Sequence, residues 1–190
     1  MIIGHVGVAY AARARWPRIP FILLLVATTA PDLLRLALMP LGLGFRQLNL
    51  YSHALPWSFA LAAGAGAVVW AVWRDRVWAL VIGSVVLSHI ALDLISGRKP
   101  LWSDGPAGLD LQRFQQLEFA IEGMLLFAGW RILRRREPHR AITRRVVLAA
   151  LLAGDAVYLA TTLMERPYAT RCIEYPIQPC WKRRHDRPPN

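Results

Sequence analysis

Three of the five histidines in this 190-residue chain lie in or beside long apolar runs, and several carboxylates share that setting. His5 stands in Gly-His-Val near the start. Asp32 follows Pro31, and His53 belongs to Tyr-Ser-His. His89 and Asp93 belong to Ser-His-Ile-Ala-Leu-Asp, and Glu118 and Glu122 lie further on. Ionisable groups inside oily helices are costly to place and mark functional sites by default. His89 and Asp93 form the most specific pair. A spacing of four puts both on one helix face, and a neutral imidazole beside a carboxylate suits Zn²⁺, Mn²⁺ or Fe²⁺. Alone, the pair reads equally well as a hydrogen-bonded tie between helices. His5, Asp32 and His53 shift the balance toward a shared metal site, because each would otherwise need its own buried partner. Glu122 follows Glu118 by four and is the carboxylate assigned to proton transfer, with Asp93 as the second catalytic candidate. Pairing of Glu122 with Arg98 or Arg113 is the plainer alternative. Arg98 and Lys99 follow the His89 segment directly. They are candidates to hold a phosphate or another anionic group at the rim, against simple snorkelling to the membrane interface. Asp155 lies in the last apolar run and receives no role.

The elements that must position these groups are apolar. Hydrophobic residues make up 55% of the chain and charged ones 18%, against about 25% charged in a soluble domain. That composition excludes disorder, and two cysteines exclude a disulfide-dense scaffold. The apolar runs are Met1 to Ala12, Ile19 to about Met39, Leu55 to Trp73, Trp78 to about Ile95, Leu117 to Leu133, and Val146 to Met164. A bilayer core of ~30 Å takes about 20 helical residues, which the last four runs meet. In lipid only a helix satisfies its own backbone. The expected fold is therefore all-α: a multi-pass transmembrane helical bundle of about six segments. Its first hairpin has one short arm and one arm broken at Pro31 and Asp32. Residues 1–164 form the membrane domain. Residues 165–190 form a polar tail rich in Pro and Arg that holds Cys172 and Cys180. Trp57, Trp73, Trp78, Trp102 and Trp130 read as interface anchors.

The net charge of +11 comes in clusters between apolar runs, a pattern of anionic headgroups and not of nucleic acid. Arg13, Arg15, Arg18, Arg74, Arg76 and the run from Arg131 to Arg145 occupy alternate loops. The opposite loops hold only Arg35, Arg46, Arg98, Lys99 and Arg113. The richer set is expected on the cytoplasmic side, with both termini outside, where Cys172 and Cys180 could pair. The six basic residues of the tail pull against that orientation. A cleaved signal peptide ending near Pro31 is disfavoured, because an apolar stretch precedes the basic cluster. A rise of ~1.5 Å per residue from the nearest basic anchor puts His5 at ~12 Å, Glu122 at ~14 Å, His89 at ~20 Å, Asp32 at ~21 Å and Asp93 at ~26 Å. That spread exceeds what one ion can bridge. It calls for a first helix that rides high, for some members that only support the ligands, or for two ions.

Five short runs, in order, carry a likeness: Gly4-His5, Pro31-Asp32, Tyr51-Ser52-His53, Ser88-His89-Ile90-Ala91-Leu92-Asp93 and Ile121-Glu122-Gly123. Arg98-Lys99-Pro100-Leu101-Trp102 and Gly108-Leu109-Asp110-Leu111 extend it. Over roughly residues 1–135 the chain resembles bacterial membrane-bound metal-dependent hydrolases and their uncharacterised inner-membrane relatives. The wider similarity is to zinc-dependent phospholipase C. The resemblance implies an inner-membrane helical protein with a divalent metal, zinc before manganese or iron. It implies ligation by His5, Asp32, His53, His89 and Asp93, with Glu122 as an added carboxylate. The implied substrate is a lipid or phosphoester. The chain departs from the family in a shorter loop before Ser52-His53, and in Ser96-Gly97 where many members carry His. Two other functions use the same residues. One is a transporter or ion-binding protein; the other is a non-catalytic scaffold whose polar groups join helices.

Overall fold

The computed structural model describes residues 3–42, 50–100, 106–111, 114–137, 148, 149, 151–153 and 156. The described chain is all-helical apart from one two-residue ribbon. Its principal helices are α1 (Ile3–Arg15), α2 (Phe21–Leu38), α3 (Leu55–Trp73), α4 (Arg76–Ser96) and α5 (Gln115–Arg136). A 3-10 turn, Met39–Leu41, extends α2, and a single helical turn at residues 50–53 precedes α3. Three stretches are long and apolar enough to cross a membrane: Phe21–Leu41, Leu55–Trp73 and Arg76–Ser96. Their outer faces carry large apolar side chains in the open, with Ile22 68% and Leu80 73% exposed. Water would penalise such a surface and lipid would not.

Local chemistry accounts for the boundaries. Pro56 sits in the first turn of α3, where its missing N–H costs nothing. At the far end Arg74 turns left-handed (φ 55°), and its N–H closes on the Trp70 carbonyl. Asp75 then caps α4, accepting from the Val77 and Trp78 amides at 2.8 and 3.1 Å. Two residues thus reverse the chain and set α3 and α4 side by side. The first hairpin differs from expectation. α1 is short, at 13 residues, but α2 is not broken, since it runs as one helix through Pro31 and Asp32. Thr28 and Thr29 donate their hydroxyls to the Leu25 carbonyl in the turn before Pro31, the back-bonding that hydroxyl side chains make inside helices.

α4 is the centre of the bundle and packs on α1, α2 and α3, while α1 packs most closely on α5. The α1–α5 pair runs parallel. Ile3 and Gly4 meet Glu122, and Arg13 pairs with Glu137 at 3.5 Å. Their crossing is backbone on backbone. A Cβ on Gly7 would strike the Leu125 carbonyl, and one on Gly129 would strike the Gly7 carbonyl. Only glycine permits that approach. Trp130 is buried in the cluster that joins α1 to α5, with Tyr10 and Leu126. The Arg134 guanidinium lies over the Trp130 ring, 5.3 Å from the centroid. α5 spans 22 residues but carries Glu118, Glu122 and the run Arg134–Arg136, which sets it apart from the three apolar spans. Of the sixth run, Leu148 joins the α1–α5 cluster, with Leu151 and Leu152 packed against it. Asp155, Trp102, Arg113 and the tail with Cys172 and Cys180 lie outside the described residues.

Candidate metal centre

His5 lies near the start of α1, Asp32 in the second half of α2, His53 in the turn before α3, and His89 and Asp93 in the last two turns of α4. In this arrangement all five residues come to one end of the bundle. The opposite end holds Arg13, Arg15, Arg74, Arg76 and the arginines that close α5. Two groupings bring potential ligand atoms within 4.8 Å of one another: His5, His89 and Asp93, and Asp32, His53 and His89. The side chains thus converge despite the spread expected from rises along single helices, with His53 entering from a separate turn.

The contacts between these groups are regular. His53 Nε2 lies 3.3 Å from Asp93 Oδ2 and 3.4 Å from Asp32 Oδ1. His89 Nε2 lies 3.5 Å from Asp93 Oδ2 and 3.7 Å from Asp32 Oδ2. Zinc ligated at about 2.0–2.1 Å in a tetrahedron has ligand–ligand edges of about 3.3–3.4 Å. The His53 and His89 contacts to Asp93 Oδ2 are close to such an edge, while Asp32 faces the two rings through different oxygens. A second observation supports the fit. His53 Nε2 and His89 Nε2 are buried and have no hydrogen-bond partner among the described residues, although carboxylate oxygens stand close to both. Imidazole nitrogens that face carboxylates without bonding to them suit a cation between the two.

The ring orientations agree. His89 Nδ1 meets the Thr28 carbonyl at 2.7 Å. A carbonyl only accepts, so Nδ1 carries the hydrogen and Nε2 presents its lone pair to the carboxylates. Ser52 Oγ sits against His53 Nδ1 and leaves that ring's Nε2 to face inward. Burial is the largest influence on the His53 imidazole and holds its pKa below the ordinary value of 6.5, despite the nearby Asp32 carboxylate, which works the other way. The neutral, ligating form is thereby favoured.

His5 is the outlying member. Its ring centroid is 4.0 Å from that of His89. Its Nε2 donates to the His89 carbonyl at 3.4 Å and lies 3.9 Å from Asp93 Oδ1. With Nε2 donating, the lone pair sits on Nδ1, which is buried with no hydrogen-bond partner among the described residues, so His5 stays with His89 and Asp93 as a candidate ligand through that atom. Glu122 joins neither grouping. Its Oε2 accepts from the Ile3 and Gly4 amides at 3.0 and 3.3 Å, which caps the first turn of α1 and anchors the segment that carries His5. Arg98 pairs with Asp110 at 3.4 Å. Lys99 turns inward to Asp93 Oδ2 at 3.0 Å. Thr28 and Ser52 are the site residues that sequence reasoning passed over. A threonine one turn before a proline in an oily helix and a hydroxyl adjacent to a histidine are the signals that pointed to them.

Burial is uneven. The side chains of His5, His53, His89 and Asp93 are at most 3% exposed, whereas that of Asp32 is 42% exposed. Among the described residues the centre is thus open beside Asp32. Comparison of the chain with protein-family models, with curated proteins and with solved structures returns no match.

Proposed function

We propose that this chain is a membrane-embedded metal-dependent hydrolase that acts on a lipid or phosphoester. The observation that supports it most is the set of four donor–donor separations, from 3.3 to 3.7 Å, among His53, His89, Asp32 and Asp93. The donor types favour zinc, with manganese or iron as alternatives. When bound, such an ion supplies Lewis acidity, which acidifies water and polarises a phosphoryl oxygen. The residues do the rest. His53, His89 and Asp93 form the buried part of the ligand set, with Thr28 and Ser52 fixing the rings. Asp32, the most exposed member of the set, would hold the ion from the open side, where its carboxylate could also accept a proton from water. A structural metal site is closed, and a catalytic one keeps a position free; the exposure of Asp32 favours the second. Lys99, partly buried against Asp93 Oδ2, is the nearby cation that would contact an anionic head group. Arg98 is engaged by Asp110 and frames the rim. Glu122 serves through α1 and not as the base. The site lies at the end remote from the basic loops, so the positive-inside rule puts its mouth outside the cytoplasm, in a bacterial inner membrane.

Metal analysis and phosphodiesterase assays on the detergent-purified chain test this. We expect about one equivalent of divalent metal, its loss in His89→Ala, and hydrolysis of phospholipid or model phosphodiester that chelation abolishes and zinc restores. Metal retained without turnover of any phosphoester would overturn the hydrolase assignment in favour of ion transport. A metal-free wild type would leave only the scaffold.

A further inference from the structure

Asp93 Oδ2 is the carboxylate oxygen most crowded by the centre's nitrogens, at 3.3 Å from His53 Nε2 and 3.5 Å from His89 Nε2. The same oxygen lies 3.0 Å from Lys99 Nζ. Lys99 therefore aims a compact positive charge at the atom that a coordinated ion would use. An ion held by Oδ2 would sit about 2.0–2.2 Å from it. Ammonium and ion could share that oxygen only as two neighbouring cations in a buried site where water and salt screen little.

The backbone around Lys99 is fixed on both sides. The ribbon pairs Lys99 with Ala107, the Leu109 amide donates to the Leu94 carbonyl at 2.8 Å, and Arg98 is tied to Asp110. Gly108, at φ 139°, fits this ribbon against the Gly97 carbonyl, where no Cβ has room. The Lys99 side chain is not so bound. It has a flexible four-carbon stem and is 18% exposed, so its head can leave while the ribbon stays in place.

We propose that Lys99 is the resident counter-cation of Asp93 and that metal loading displaces it outward, to the open face beside Asp32. The inference rests on the metal-centre reading above. In the metal-free chain Lys99 is a positioning residue that holds Asp93 Oδ2 aimed into the centre. In the loaded chain its ammonium stands at the mouth, ready for an anionic group.

Zinc affinity of the detergent-purified full chain, measured by competition with a chromophoric chelator, tests the exchange. Lys99→Met removes the competing charge and should bind Zn²⁺ about tenfold tighter, equivalent to ~1.4 kcal/mol. Lys99→Arg keeps the charge and should not gain. A second readout needs no variant. The chain has two lysines, Lys99 and Lys182, so acylation followed by mass spectrometry reports Lys99 against an internal control in the tail. Zinc should raise labelling of Lys99 and leave Lys182 unchanged. Zinc bound with equal or weaker affinity by Lys99→Met, or with no rise in labelling, overturns the exchange and leaves the metal centre standing. No zinc bound by any form removes the centre and the exchange together.

Discussion

At the scale of single residues, the centre depends on imidazoles that stay neutral in a buried place. His53 shows the consequence for pH. The unfolded chain takes up its proton near the ordinary value of 6.5, while burial holds the folded pKa lower. The contribution to stability is therefore present in full above about pH 6.5 and is lost as pH falls through the folded value. Thermal unfolding of the chelator-treated chain should be flat between about pH 8 and 7 and should fall below about pH 6. His53→Asn should flatten that decline, and an equal decline in the variant would assign it to other groups. Much of the candidate site was legible at this scale. A spacing of four placed His89 and Asp93 on one face, and the cost of burying a lone imidazole pointed to partners for His5 and His53. The role of Glu122 was not legible. A carboxylate that caps the start of a helix more than a hundred positions away looks, in sequence, like any other buried acid. Lys99 was read as a rim residue because nothing in Arg98-Lys99-Pro100 reveals that a two-residue ribbon folds its side chain back over Asp93.

Among the elements, the apolar runs matched helices well because their lengths fit a bilayer and their ends carry turn chemistry, as at Arg74 and Asp75. Pro31 misled because a proline is a strong breaker in water. In this oily helix the chain carries on through the proline, with Thr28 and Thr29 back-bonded to the Leu25 carbonyl and His89 donating to the Thr28 carbonyl. The parallel contact of α1 with α5 was beyond sequence reading, since Gly7 and Gly129 carry no signal of being partners. It makes a sharp prediction. Gly7→Val pushes a side chain into the Leu125 carbonyl and should cost ~1–3 kcal/mol or more, seen as a lower thermal midpoint in detergent. Metal content should survive, because Asp32, His53, His89 and Asp93 lie on other elements. Loss of metal in a folded Gly7→Val protein would show that His5 is itself a required ligand.

For the whole molecule, the division between a basic end and a His/Asp end sets the expected orientation. With Cys172 and Cys180 replaced by serine, a single cysteine at Leu109, 71% exposed beside the ribbon, should react with a membrane-impermeant maleimide on intact cells. One at Arg76 should react only after permeabilisation. The reverse pattern would turn the bundle over and put the mouth in the cytoplasm. The parallel docking of α1 on α5 also bears on the order of assembly. Synthesis proceeds from the N terminus, and Asp32, His53, His89 and Asp93 all precede residue 100. The proposed ligand set is complete on the nascent chain before Glu122 and Gly129 exist. The segment made first must therefore wait, uncapped at its start, until the ribosome has delivered the helix that closes over it. A chain truncated after Ser96 would carry every proposed metal-binding side chain and still lack the clasp that holds its own beginning.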